Sequence, residues 1–199
     1  MDDQSPTPSK TDYLVIDLEF TQYRRPIGKP RGFFAEIIEI GAVKHNVTDF
    51  QNLGSIQDFV KPHFYPKQAK EAMEFCSITE ADMKTAITFH QMLEKINQLY
   101  IPQQTYIVAW GNEDYNVLNM GCQRHDVPNP ILQSDYLDLA KAYRLLQGNG
   151  YTTSLRQAAE ELEVEESGHW HAAFEDAVKT ANILQKLIQQ GYDPAQPLS

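Results

Sequence analysis

The feature that most constrains the fold is a short apolar run at residues 13–20, YLVIDLEF, which ends in two acids. A compact run of apolar and β-branched residues is typical of a buried central strand. Asp17 and Glu19 lie two positions apart, so on a strand both carboxylates point to the same face. A buried acid costs several kcal/mol unless it is paired or binds a cation. The run therefore predicts a central strand with a carboxylate site at its end, and two solvated acids are the alternative.

The remaining pattern predicts an α/β protein with a mixed sheet flanked by helices. Strands predicted at 35–45 and 54–61 follow a Pro- and Gly-rich stretch, and three consecutive strands predict an antiparallel meander. Beyond them one more strand, 106–110, alternates with helices predicted at 79–86, 89–100, 114–125, 136–146, from 153 or 154 onward, and 171–190. We expect one domain over 11–192, with flexible tails at 1–10 and 193–199, because 199 residues leave little room for two domains.

Two more acids lie where predicted helices begin. Asp114 follows the strand 106–110 through a Gly turn, and Asp176 stands five residues after His171 at the start of the last helix. Each has a purely structural alternative, because helix N-termini favour carboxylates and a His can cap a helix. A zinc site built on His169 and His171 is a further alternative.

An open mixed sheet brings the ends of its strands and helices together at one edge, so the acids are expected to meet there. They are Asp17, Glu19, Asp114 and Asp176. Four crowded carboxylates would repel and raise one another's pKa unless divalent cations neutralised them. Two Mg²⁺ ions carry four positive charges, which fits a two-metal site about 3.5 to 4 Å across that clamps a scissile phosphate.

The charge balance constrains the partners. With 17 Lys and Arg against 27 Asp and Glu, the formal net charge of −10 argues against a protein that coats nucleic acid or an anionic membrane. The stretch from Phe20 to Ala35 is an exception, because it holds four basic residues, several aromatic rings and no acid. The basic residues are Arg24, Arg25, Lys29 and Arg31. Such a loop can hold phosphates while its rings stack on unpaired bases, and a solvated loop is the alternative.

Some features only exclude classes of protein. The chain has no apolar run long enough for a membrane span, and its acidic, polar start is unlike a signal peptide. We therefore expect a cytoplasmic protein with no membrane partner. Cys76 and Cys122 match no paired zinc spacing and are expected to be plain buried thiols.

The acids and His171, in this order, resemble the DEDDh 3'-5' exonucleases, the DnaQ-like group on the ribonuclease H-like fold. The resemblance covers nearly all of residues 13–190. The stretches GKPRGFF followed by EIIEIG, FCSIT at 75–79 and WGNED at 110–114 are similar to the branch that contains KapD and the exonucleases that trim small interfering and histone RNAs.

The resemblance implies a ribonuclease H-like mixed five-stranded sheet and a role for each matching residue. Asp17, Glu19, Asp114 and Asp176 would be metal ligands, with Asp17 bridging two Mg²⁺ ions, or Mn²⁺ in their place. His171 would be the general base, a role that suits an imidazole with a pKa near neutrality. Glu19 and His171 would be the catalytic residues. Glu19 and Phe20 would also contact the 3'-terminal nucleotide.

The implied function is metal-dependent removal of nucleoside 5'-monophosphates from the 3' ends of single-stranded RNA or DNA, with RNA slightly favoured. A non-catalytic regulatory or interaction module on the same fold is the alternative, suggested by the acidic surface and by the link of this branch to sporulation inhibition. Endonucleolytic cleavage is a third possibility, and the spacing of His171 and Asp176 favours an exonuclease over it.

Overall fold

The computed structural model of the protein describes residues 10–22, 29–148, 151, 153–165 and 170–196. Its centre is a five-stranded sheet in the order β3-β2-β1-β4-β5. The strands are β1 (Asp12–Phe20), β2 (Ile37–Asn46), β3 (Asn52–Phe59), β4 (Thr105–Ala109) and β5 (Tyr136–Asp138). The apolar run that dominates the sequence is β1, the buried middle strand.

The sheet is mixed, as the sequence predicts. β1, β2 and β3 pair antiparallel, which confirms the meander, whereas β4 runs parallel to β1 and β5 runs parallel to β4. The carboxyl ends of β1 and β4 therefore reach the same edge of the sheet. This edge carries Asp17 and Glu19, and the chain leaves it from β4 to enter the helix that contains Asp114.

The helices pack on both faces of the sheet. They are α1 (Ala69–Phe75), α2 (Glu80–Thr85), α3 (Phe89–Leu99), α4 (Glu113–Arg124), α5 (Leu139–Leu146), α6 (Leu155–Glu161) and α7 (Ala173–Gln189). Thr79, Thr88 and Ser154 begin α2, α3 and α6 with reciprocal side-chain caps, a strong local signal for a helix start. These helices accordingly begin close to their predicted positions.

Two features of the chain differ from the prediction. Residues 136–138, predicted as the start of a helix, form β5 against residues 107–109. The reason is that Asp138 caps α5 by accepting the backbone N–H of Lys141 at 2.9 Å, so the helix begins only after it. Helix α1 was not predicted, because it is only seven residues long and its N-cap residue, Gln68, makes no side-chain capping bond.

The alternation of side chains along β1 decides which face carries the acids. Leu14, Ile16 and Leu18 pack with α3 and α4 on one face. Tyr13 and Val15 pack with α5, α6 and α7 on the other. Because side chains two positions apart share a face, Asp17 and Glu19 lie on the α7 side of the sheet.

The described residues include no helix that is both long enough and apolar enough to cross a membrane. Both cysteines are free. Cys122 is buried, as predicted, whereas Cys76 is only partly buried, so the expectation of two plain buried thiols is wrong for Cys76. The position of Cys76 is described with the site.

Candidate active site

β1 supplies the first pair of acids. Asp17 and Glu19 alternate with the buried Ile16 and Leu18 and end on the same face, as the spacing predicts. Across the antiparallel ladder, Asp17 lies opposite Gly41, and Glu19 lies opposite a second acid, Glu39 of β2. The carboxylates are therefore fixed by a central strand, and the alternative of two fully solvated acids is wrong, because neither residue is exposed.

α4 supplies the third acid through a tight turn. Gly111 has a φ of +99°, a conformation that side chains other than hydrogen rarely adopt, and it turns the chain from β4 into α4. Asn112 occupies the N-cap position without a capping bond from its side chain. Asp114 lies in the first turn and is buried, and its carboxylate accepts the backbone N–H of Leu18 at 2.9 Å. Asp114 is thus tied to β1 rather than acting as the N-cap.

The beginning of α7 supplies His171 and Asp176. The Asp176 carboxylate accepts the backbone N–H of His171 at 3.1 Å and an N–H of the Lys179 ammonium at 3.0 Å. His171 has a φ of +64° and lies just before the N-cap residue Ala172. The His171 ring is exposed and lies 4.4 Å from the Phe75 ring, measured between centroids. His171 and Asp176 are therefore held together at the beginning of α7.

β2 holds the beginning of α7 against the sheet by two contacts. A Cβ atom at Gly41 would lie 2.1 Å from the backbone of Ala173 and Phe174, so only glycine permits this approach. Ala172 provides no side-chain cap, and the buried Glu39 carboxylate accepts the backbone N–H of Ala173 instead. Glu39 therefore caps the helix from a neighbouring strand.

The electrostatics of the cluster are those of crowded acids. Burial, followed by the nearby charges of Asp114 and Glu19, raises the pKa of Asp17 well above its usual range. Burial raises the pKa of Asp114 to about 7, although its backbone hydrogen bonds oppose the shift. Burial likewise raises the pKa of Glu19 and brings that of Glu39 to about 7. The ionised cluster is thus unfavourable without a cation.

The donor atoms suit a divalent cation. One ligand atom each of Glu19, His171 and Asp176 lies within 4.8 Å of the other two. Asp17 and Asp114 are coupled electrostatically to this group. Within the described chain, no Lys or Arg nitrogen lies within 4 Å of the carboxylates of Asp17, Glu19 or Asp114. A set of carboxylate oxygens without a protein counter-charge fits the hard ions Mg²⁺ and Mn²⁺.

A cleft of about 330 Å³ opens beside these groups. Its lining residues are Glu19, Phe20, Gln22, Glu71, Ala72, Phe75, Cys76 and His171. Phe75 is 51% exposed, and its ring lies against that of His171. The Cys76 thiol donates to Glu19 Oε2 at 3.1 Å, so Cys76 forms part of the cleft wall beside the acids.

The structure describes only part of the predicted basic loop. Arg24, Arg25 and the His169 of the zinc alternative lie outside the described residues. Arg31 is exposed, and the Lys29 ammonium lies 5.4 Å from the centroid of the Phe33 ring. The rings at 33 and 34 pack against the segment 64–65, with centroid distances of 5.1 to 5.4 Å, and do not stand free.

Sequence reasoning missed Glu39, Gly41 and Phe75. A signal existed for Glu39, because an acid in the apolar stretch EIIEIG would face Glu19 in an antiparallel pair once the register was known. Nothing local marks Gly41, since its requirement arises from a helix more than a hundred residues later. The roles of Glu39 and Gly41 therefore depend on the register of the strands and on the packing of α7, and residue type alone does not predict them.

Comparison with known proteins decides the family. The RNase_T family model, described as exonuclease, matches residues 14–184. The chain belongs to the RNase_T exonuclease family. It is 35% identical over 179 residues to the "Probable 3'-5' exonuclease KapD" of Bacillus subtilis (strain 168), covering 89% of this chain and 84% of KapD. It is therefore an exonuclease, and the assignment supports 3'-5' activity on nucleic acid.

More distant relatives share the same domain. The human "3'-5' exoribonuclease 1" is 26% identical over 193 residues, which cover 90% of this chain and 53% of that protein. The solved nuclease domain of 3'hExo, a DEDDh family member bound to rAMP, superposes with a TM-score of 0.79 at 24% identity, covering 92% of this chain and 94% of that one. This likeness confirms the predicted ribonuclease H-like fold. The family also implies divalent metal ions.

Proposed function

We propose that the protein removes nucleoside 5'-monophosphates one at a time from the 3' end of single-stranded nucleic acid, with RNA slightly favoured over DNA. The observation that carries the proposal is the convergence of four acids and one histidine beside a single cleft, whose wall includes Glu19 and His171. Two names support it: a relative is called an exoribonuclease, and the 3'hExo domain was solved with rAMP bound. A complete set of acids and histidine also argues against the non-catalytic alternative.

Asp17, Glu19, Asp114 and Asp176 would hold two Mg²⁺ ions, or Mn²⁺. The raised pKa values of Asp17 and Asp114 support this assignment, because the buried carboxylates lack a counter-charge from the described protein. Bound ions would offset the negative charge of the scissile phosphate and lower the pKa of a bound water. Asp17 interacts electrostatically with Asp114, Glu19 and Asp176, and it would therefore be the ligand common to both ions.

His171 would take the proton from the attacking water. Its ring is exposed at the cleft, while its backbone N–H is held by Asp176. One hydrogen bond thus fixes the backbone and leaves the imidazole able to reach the reacting water. General-base catalysis of this kind contributes about 10²- to 10⁴-fold to a rate.

Phe20, Phe75 and Glu19 would bind the terminal nucleotide. The cleft volume of about 330 Å³ falls within the range of small-ligand sites. Phe75, which is half-exposed in the wall of the cleft, would stack on an unpaired base, as aromatic side chains do in single-strand recognition. The loop residues Lys29 and Arg31, together with Arg24 and Arg25, would hold the backbone phosphates next to the terminal nucleotide.

A degradation assay tests the proposal. Purified protein with Mg²⁺ or Mn²⁺ should shorten a 5'-labelled single-stranded oligonucleotide stepwise and release mononucleotides. His171→Ala should lower the rate about 10²- to 10⁴-fold with little effect on binding. His90→Ala, which removes an exposed histidine of α3 outside the cleft, is the matched control and should retain full activity. Internal products, or shortening unaffected by His171→Ala, would contradict the proposal.

The substrate preference needs its own comparison. Matched RNA and DNA oligonucleotides, each single- and double-stranded, should be degraded with Mg²⁺ and with Mn²⁺. We expect single strands to be degraded faster than duplexes and RNA slightly faster than DNA, because discrimination depends on contacts to the 2'-hydroxyl. Equal rates on RNA and DNA would remove the RNA preference and leave the rest of the proposal intact.

A further inference from the structure

A second cavity, of about 730 Å³, lies on the other side of helix α1 from the catalytic cleft. The α1 residues Glu71, Ala72 and Phe75 line the cleft, whereas Lys70 and Met73 line this second cavity. Because an α-helix with its side chains is about 10 Å wide, the two spaces are separated by roughly that distance.

Lysines form the rim of the second cavity. They are Lys61, Lys67, Lys70 and Lys84, and the acids Glu74 and Glu80 accompany them. All four lysines are exposed. Only Lys70 has a carboxylate within 4 Å in the part of the chain that the structure describes, namely Glu74 at 3.9 Å, and both side chains of this pair are more than two-thirds exposed. In a chain with a net charge of −10, the rim is a local excess of positive charge.

The floor of the cavity is apolar. It is formed by Pro62, Pro66, Met73, Ile78 and Met83. Ile78 is buried, and the two methionines pack with it against the core. Methionine side chains adapt to irregular partners, so this floor can accept flat or apolar groups of different shapes. A cationic rim over an apolar floor suits a ligand that carries both anionic and apolar groups.

We propose that the lysine-rimmed cavity binds the substrate strand upstream of the scissile bond, with phosphates at the lysines and bases or sugars on the floor. The proposal rests on the proposed function, which places the 3' end of a polyanion one helix away. The lysines also come from three elements, the segment 61–67, α1 and α2, so the rim offers several separate positive charges rather than one. A single-stranded segment therefore fits better than a ligand with one anionic group.

Binding of short and long strands tests this assignment. Labelled single-stranded oligonucleotides of about three and about 20 nucleotides are titrated with the full chain in EDTA, and fluorescence anisotropy reports the Kd. The variant Lys67→Ala/Lys84→Ala should raise the Kd of the long strand at least about tenfold. The slope of log Kd against log salt concentration should also fall by about 1.4, because each of the two lost phosphate contacts contributes roughly 0.7 to it. The Kd of the short strand should not change.

The control removes the same charge elsewhere. Lys95→Ala/Lys141→Ala alters α3 and α5, outside this cavity, and should leave the Kd of the long strand within about twofold of that of the wild type. Circular dichroism melting checks that both variants fold. Equal Kd values for wild type and Lys67→Ala/Lys84→Ala, or an equal loss in the control, would overturn the proposal.

Two further measurements separate the possible failures. With metal present, the short strand should be degraded at the same rate by the wild type and the lysine variant. If the wild type does not degrade it, the proposed function fails, while the comparison in EDTA still decides the binding site. If a polyglutamate peptide binds the wild type but not the variant, and the Kd of the long strand is unchanged, the cavity takes an acidic peptide and the proposal is wrong.

Discussion

The two ends of β1 differ in how their buried acids are compensated. At its beginning, Asp12 is paired with Lys44 at 3.1 Å. Asp135, which directly precedes β5, accepts hydrogen bonds from Lys10 just before β1, from Tyr100 and from the backbone of Gln103. Burial alone would raise the pKa of Asp135, but these hydrogen bonds outweigh burial and lower it. At this end, the acids are neutralised by the protein itself.

At the carboxyl end of β1, most of the acids have no Lys or Arg partner within the described ranges of the chain. Among the residues that the structure describes, only Asp176 has a lysine partner, Lys179, which is 1% exposed. Burial and mutual repulsion raise the pKa values of Asp17 and Asp114 instead of lowering them. The difference shows where the structure gives up stability: a charge that the fold leaves unbalanced is available to bind ions and substrate.

The same substitution at the two ends should give opposite results. Asp17→Asn should lower the exonuclease rate about 10³- to 10⁴-fold, because a metal site supplies several kcal/mol of transition-state stabilisation. It should also raise the melting temperature in EDTA, since one repelling charge is removed. Asp12→Asn is the matched control on the same strand and should lower the melting temperature and retain activity. Calorimetry and the oligonucleotide assay measure both effects. If metal-free Asp17→Asn were less stable than the metal-free wild type, repulsion at the carboxyl end of β1 would not be the difference between the two ends.

Breaking the ion pair at the beginning of β1 should affect stability alone. Lys44→Met leaves Asp12 buried and unpaired, because both side chains are only 10 to 11% exposed. We expect the free energy of unfolding to fall by about 3 to 5 kcal/mol. The double variant Lys44→Met/Asp12→Leu should recover most of it, since no buried charge then remains. Urea unfolding measures both variants, and their activity per folded molecule should match that of the wild type. Loss of activity in folded Lys44→Met would show that the two ends are coupled.

The pH dependence of stability should differ between metal-free and metal-bound protein. An acid whose pKa is raised on folding destabilises the protein as it ionises. For Asp114 and Glu39, stability should therefore fall as the pH rises from about 4, near the unfolded pKa values, to about 7. In EDTA we expect a loss on the order of 3 kcal/mol for each of these two carboxylates over this range, and saturating Mg²⁺ should remove most of it.

The variant Asp114→Asn isolates this effect, because it cannot ionise at that position. Its metal-free stability should change less between pH 4 and pH 7 than that of the wild type, as measured by unfolding at a series of pH values. Asp135 contributes in the opposite sense, since its lowered pKa gives stability that is lost only as the pH falls below about 4. If the metal-free stability of the wild type changed with pH as steeply as that of Asp114→Asn, Asp114 would not be the source of the pH dependence.

The smallest expected effect concerns the cap on α7. Glu39→Ala removes the acceptor of the Ala173 N–H and should lower kcat about tenfold, the lower end of what outer-shell partners contribute, while KM changes little. Glu39→Gln keeps an acceptor oxygen and should retain most of the activity. Steady-state kinetics on one oligonucleotide compares the two variants. An equal loss in both would mean that the charge of Glu39 matters rather than its hydrogen bond.

The sequence predicts the parts of this protein that local signals determine. The β1 run, the spacing of Asp17 and Glu19 and the capping boxes at Thr79, Thr88 and Ser154 each act within a few residues, and the structure agrees with them. β5 was missed because three residues, the last of which is the N-cap of α5, are too few to show a periodicity of their own. Its strand exists through pairing with β4.

The acids and the histidine of the candidate site were predictable from the sequence, but the residues that hold them in position were not. The resemblance identified the acids and His171, which the structure brings together beside one cleft. Which face Glu39 occupies, which wall Cys76 joins and where α1 lies all depend on register and on contacts between distant segments. The partner of Asp176, Lys179, lies three residues further along the helix, but its burial is a tertiary property.

The close approach at Gly41 has a consequence for mutational scanning. Here two backbones touch, so the seam between β2 and α7 offers no side chain that could be exchanged for a smaller one. A deep scan scored by enzyme activity would therefore place Gly41 among the least replaceable positions, together with the acids. A scan scored by abundance would separate them, because Asp17→Asn protein should accumulate normally whereas any substitution at Gly41 should deplete it.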